Sequence, residues 1–189
     1  MGVNHESPRS RVRRRGAHRP AGGAGQKPGL QVVAAVELLR MGLQRVAIID
    51  LDAHPGDGTY RLSRGRQGIA LFDIAGGSWV DVVNTSSVEY HVARDASQYE
   101  VAFKHLEAFL DRVRPELVMF QAGMDPYEHD PVGGIPGVDE AFLRRRDSHV
   151  IAEVSWRRIP LVVNLAGGYV DGVERLHLMT VRAMAMGLA

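Results

Sequence analysis

The 189-residue chain has no cysteine. That absence excludes disulfide scaffolds, thiolate metal sites and cysteine nucleophiles together. No run of about 18 or more apolar residues occurs, so no transmembrane helix is expected. No apolar segment follows the basic start, so no secretory signal is expected. A cytoplasmic location without membrane partners is the resulting expectation. Aromatic residues are scarce, at 6%, yet hydrophobic residues reach 45% and charged residues 24%. Such a chain is too apolar to stay disordered and large enough for one domain with a core. Without thiolates, metal chemistry falls to the eight His and 22 acidic residues, all N/O donors.

The net charge of +1 is unevenly placed. Residues 1–29 hold six Arg, one Lys and a single Glu, an excess of +6, so the other 160 residues carry −5. This first segment has six Gly, three Pro and no hydrophobic period, and is expected to be a disordered basic tail. A nucleic-acid or membrane arm, a presequence and a non-native chain start all fit that composition. An acidic body gives no reason to expect a nucleic-acid groove on the folded part.

From Leu30 the pattern changes. Val32, Val36, Leu39 and Leu43 recur at helical spacing. The run 45–51, RVAIIDL, is nearly all apolar, as in a strand covered on both faces. Segments 69–74, 116–122 and 159–166 read as further strands. Tyr99, Ala102, Phe103, Leu106, Leu110 and Val113 mark an amphipathic helix that Pro115 stops. Further helices are expected over about 138–155 and 172–186. Strands alternating with helices predict an α/β domain, residues 30–189, with a mostly parallel, doubly wound sheet.

Sites in such sheets lie at the carboxyl ends of the strands. Three loops occupy those positions: 52–58, 123–131 and 166–171. Asp52 and His54 are two apart at a strand end, so their side chains point the same way. Asp125 sits just past another strand end. If the strands are neighbours, the three form an Asp/His/Asp set with a coordination position left open, the arrangement of a catalytic zinc site. Tyr169, after the flexible Gly167–Gly168 pair, presents a phenol at the same rim. Singly, each feature has a plain reading: a capping Asp, a surface His, a Pro turn, an aromatic lid. Their common position at strand ends is what distinguishes them.

The strings IDLDAHPGDGT (49–59), FQAGMDPYEHDPVG (120–133) and LAGGY (165–169) resemble the histone deacetylase family. The likeness extends over about residues 30–189 and is strongest to bacterial members of the acetoin-utilisation and acetylpolyamine type. It implies the arginase–deacetylase fold, of which this chain supplies the later strands. It also implies zinc-dependent hydrolysis of a small acetylated amine or acetyl-lysine. By that resemblance Asp52, His54 and Asp125 are the zinc ligands, and Tyr169 hydrogen-bonds the developing oxyanion. Asp50 and Asp57 orient active-site histidines, and the backbone around Asp50, Asp52 and His54 holds a structural K⁺. An N/O site also suits Fe²⁺.

The departures are as informative. The family's general acid–base His pair falls near residues 16–19, where the sequence reads Gly16-Ala17-His18-Arg19. His18 is the one candidate for half of that pair, against the reading of a chance histidine in a tail. The resemblance implies that upstream strands forming part of the substrate tunnel are not among these residues, and Pro55 stands where the family often has a second His. The loop from Ala75 to Trp79 lacks the family's tunnel aromatic, a place Trp79 could take. Two alternatives follow. One is a non-catalytic metal-binding remnant whose exposed sheet edge drives homo-oligomerisation. The other is an arginase-like two-manganese ureohydrolase, which would need acids where Gly56 and Gly123 stand.

Overall fold

The computed structural model describes residues 29–78 and 81–187. Five strands and six helices follow one another: α1 Leu30–Arg40, β1 Val46–Asp50, α2 Asp57–Ser63, β2 Ile69–Ala75, β3 Val88–Val92, α3 Ala96–Phe103, α4 His105–Val113, β4 Leu117–Ala122, α5 Glu140–Trp156, β5 Leu161–Leu165 and α6 Val173–Gly187. The strands form one parallel sheet in the order β3-β2-β1-β4-β5.

The apolar runs explain the centre of this sheet. Every residue of β1 and β2 is buried, as expected for strands covered on both faces. Alternate residues serve opposite sides. Val46, Ile48, Ile69 and Leu71 pack beside Val32 and Ala35 of α1 and Tyr60 of α2. Ala47, Ile49, Phe72 and Phe120 face a larger core with Tyr99, Leu106, Phe109, Phe142, Val150 and Leu176 from α3 to α6. Two helix starts, those of α3 and α5, are fixed by side-chain caps: Asp95 accepts from the Gln98 amide at 2.9 Å, and Asp139 from the Phe142 amide at 2.7 Å.

Four of the five strands lie where the apolar runs predict them. β3 and α2 were not anticipated, and the expected helix over 99–113 is two helices meeting at Lys104. There the intrahelical bond from the Lys104 amide to the Glu100 carbonyl is stretched to 3.3 Å. Residues 1–28, and His18 and Trp79 with their assigned roles, lie outside the described residues. Among the described residues no helix is long and apolar enough to cross a membrane.

The strand order positions the site. The sheet grows from β1 through β2 to β3, then resumes on the other side of β1 with β4 and β5. Connections therefore leave β1 and β4 in opposite directions, and their carboxyl ends border an open crevice.

Candidate metal centre

Asp52 and His54 follow β1, and Asp125 follows β4, so the fold brings all three to that crevice. His54 Nδ1 lies 2.8 Å from Asp125 Oδ2 and 3.1 Å from Asp52 Oδ1. One ligand atom from each residue lies within 4.8 Å of the others. Asp125 is fully buried, Asp52 is 9% exposed and His54 is partly exposed. Backbone amides hold the carboxylates in place. Ala53 donates to Asp125 Oδ1 at 2.9 Å, His54 to Asp52 Oδ1 at 3.0 Å and Gly167 to Asp52 Oδ2 at 3.2 Å.

The electrostatics favour a cation. Burial pushes Asp125 up to about 6. Burial pushes Asp52 the same way, but the hydrogen bonds it accepts, first from His54, hold it below its usual value. The hydrogen bonds to Asp125 and then Asp52 raise His54 to about 10. Two carboxylates around one imidazole nitrogen thus draw positive charge to a single point. The space at that point depends on glycine. A Cβ on Gly167 would lie 2.5 Å from Asp52 Oδ2 and 2.6 Å from Asp125 Oδ2. Three N/O donors around a side-chain-free cradle fit a divalent ion such as Zn²⁺.

Tyr169 enters from the loop after β5. Its amide donates to Asp130 Oδ2 at 2.6 Å, while Asp130 Oδ1 accepts from the Val132 and Gly133 amides. Asp130 therefore ties the tyrosine loop to the loop after β4. Burial, and then the charges of Asp125 and Asp52, raise the phenol above its usual value and keep it a donor. A cavity of about 240 Å³ opens beside His54, between Pro55, Gly76, Gly77, Arg94 and the loop at Gly133 and Gly134.

Asp50 is buried, and its Oδ1 accepts from the Asp52 amide at 3.2 Å. It lies in register with Asp73 of β2. Burial and then the Asp73 charge raise Asp50 well above the carboxylate range, and burial raises Asp73 to about 8. Asp73 Oδ2 accepts from the Gly56 amide at 3.0 Å, while Oδ1 is buried without a partner. Sequence reading passed over Asp73 and Asp130. An acid inside the apolar run IALFDIA was the available signal for Asp73; Asp130 gave none beyond its proline neighbour. Asp57 begins α2 and lies 3.7 Å from Arg61, one turn on. A second N/O cluster, Glu107, His149 and Glu153, sits on the outer faces of α4 and α5. There Glu153 is already paired with Arg157.

The fold agrees with known proteins. The chain superposes on the HD domain of HDA15 with a TM-score of 0.65 at 21% identity, covering 84% of this chain and 48% of that one. It superposes on acetylpolyamine aminohydrolase from Burkholderia pseudomallei with a TM-score of 0.61 at 22% identity, covering 82% and 47%. The architecture is the arginase–deacetylase fold. Histone deacetylase 2 of Arabidopsis thaliana is 29% identical over 152 residues, 73% of this chain and 37% of that protein. The histone deacetylase domain model matches residues 31–184, and the chain belongs to that family. It spans less than half the length of each of these three relatives.

Proposed function

We propose that this chain carries the metal centre of a deacetylase-type amidohydrolase acting on an acetyl-amide. The observation that carries the reading is the meeting of Asp52, His54 and Asp125 at the β1–β4 crevice, around space that only glycine at 167 leaves open. Asp52, His54 and Asp125 would hold Zn²⁺, and the same donors suit Fe²⁺. Such an ion supplies Lewis acidity for water activation and carbonyl polarisation. The chain's own groups do the rest. Tyr169 would donate a hydrogen bond from its phenol to the carbonyl oxygen as negative charge develops there. Asp130 holds the backbone of Tyr169 in place. Water adds to the acyl carbon, the C–N bond breaks, and acetate and an amine leave. By the family resemblance, His18 would take part in protonating that amine. The Asp50–Asp73 pair, with its unpartnered Asp73 oxygen, suits a structural cation such as K⁺.

The cavity bears on the substrate. Arg94 is the one permanent charge among the residues that line it. A guanidinium at the mouth disfavours a polycation, so acetyl-lysine or a singly charged acetylated amine suits it better than an acetylpolyamine. A two-manganese reading is poorly supported. An acid at Gly123 would place its Cβ 2.7 Å from Asp52 Cα.

The test is acetate release from an acetyl-lysine reporter, with metal content measured in parallel. The reading predicts one divalent ion per chain and turnover that a chelator abolishes. A second reading, metal binding without turnover, is separated by the same assay. One bound ion and no acetate would select it, and chelator-insensitive turnover would contradict the metal mechanism.

A further inference from the structure

We infer that Arg146 is a positioning residue that clamps the two ligand-bearing strand ends together and so sets the metal affinity of the centre. This inference rests on the metal-centre reading above. Arg146 lies on α5, outside every motif that marks the site in the sequence, and its side chain is fully buried. Its guanidinium donates to two loop carbonyls and a carboxylate. Nη1 donates to the Leu51 carbonyl at 3.0 Å, Nη2 to the Gly123 carbonyl at 2.8 Å, and Nε to Asp147 Oδ1 at 2.7 Å. Leu51 immediately precedes Asp52, and Gly123 stands two residues before Asp125. One rigid fork therefore bridges the first carbonyls beyond β1 and β4, on the ligand side of the sheet.

The position matters because the sheet ladder ends there. The Leu51 amide still reaches the Gln121 carbonyl at 3.2 Å. Beyond it the two loops separate, and the bonds across the gap run through Arg146 and through the ligands themselves, as in Ala53 to Asp125. Asp147 neutralises the buried charge, and Thr180 of α6 fixes the other Asp147 oxygen at 2.5 Å. Tyr99 adds a longer contact to the Leu51 carbonyl at 3.4 Å. The clamp thus connects α3, α5 and α6 to the two loops. A lysine offers one nitrogen where the guanidinium offers a planar fork, so it cannot span both carbonyls with the same geometry. Groups that orient metal ligands typically control affinity by about 10–100-fold.

The experiment compares the full chain with Arg146→Lys and Thr180→Val. Zn²⁺ affinity is measured by chelator competition, the Co²⁺ d–d absorption reports ligand geometry, and thermal melting reports the metal-free fold. Arg146→Lys is expected to weaken Zn²⁺ binding about 10–100-fold and to change the Co²⁺ spectrum. Thr180→Val, which leaves the guanidinium in place but frees Asp147, is expected to give a smaller change of the same kind. Should Arg146→Lys fail to fold, Thr180→Val decides alone. Variants that bind Zn²⁺ as the wild type does, with an unchanged Co²⁺ spectrum, overturn the inference even if they melt earlier. A wild-type chain that binds no Zn²⁺ overturns this inference and the metal-centre reading together. Wild-type binding with unaffected variants overturns this inference alone.

Discussion

Asp125 is the residue on which the centre turns. It is fully buried, it accepts from the Ala53 amide, and its other oxygen faces His54. Asp125→Asn keeps the shape but removes the charge, and is expected to abolish stoichiometric zinc binding in equilibrium dialysis. Retention of one ion per chain would contradict its role. Gly167→Ala tests the space rather than the charge. The added methyl would overlap both carboxylates at 2.5–2.6 Å, so zinc should be lost while the rest of the sheet still folds; near-normal zinc binding would show that the cradle is not as tight as drawn. Tyr169 separates binding from chemistry. Its phenol touches no ligand atom through a hydrogen bond, so Tyr169→Phe should leave metal content intact and lower kcat by about 10²–10³-fold, the scale for one oxyanion donor. Equal losses in metal content and rate would mean the tyrosine is structural.

At the scale of elements, the β1–β2 pair carries a cost that pH exposes. Asp73 is held near 8 by burial, far above the ordinary carboxylate range. A raised carboxyl pKa means the folded state binds the proton more tightly than the unfolded chain. The stability it confers is full below about pH 4 and is lost as pH rises towards 8, by up to about 1.4 kcal/mol per unit. Urea midpoints in tetramethylammonium buffer should therefore fall between pH 5 and pH 8, and Asp73→Asn should flatten that fall. Added K⁺ should restore the wild type at pH 8 but not the variant. A wild type and variant with parallel pH profiles would contradict this account.

The same elements show what the sequence made legible. β1, β2, β4 and β5 could be read because apolar runs signal strands inside a parallel sheet. β3, VEYHV, escaped because it is a half-exposed edge strand whose polar residues break the run. α2, DGTYRLS, escaped because seven residues with two glycine-flanked polar positions carry no helical period. The three proposed ligands were readable from their places after strands, since strand ends converge by topology. Arg146 and Asp130 were not, because each acts through backbone groups of distant loops. Nothing in the local sequence around α5 reports that its buried arginine reaches two strand ends.

At the scale of the whole molecule, the sheet of the described residues stops at β5. Among them that strand pairs only with β4, and Val162 and Leu165 are 41% and 51% exposed. Parallel sheets are ordinarily covered on both faces and protected at their edges. The isolated chain is therefore expected to self-associate, with a sedimentation-averaged mass that rises with concentration. Val162→Lys combined with Leu165→Lys should lower it, and a wild type that stays monomeric at every concentration would contradict this.

The central claim is that one divalent ion is shared by residues from two separate strand ends. Anomalous diffraction at the zinc edge from crystals grown with Zn²⁺ tests it most directly. The account predicts a single strong peak bonded to Asp52, His54 Nδ1 and Asp125 at about 2.0–2.2 Å. A peak only at Glu107, His149 and Glu153, or an Asp125 carboxylate turned away from the ion, would contradict it.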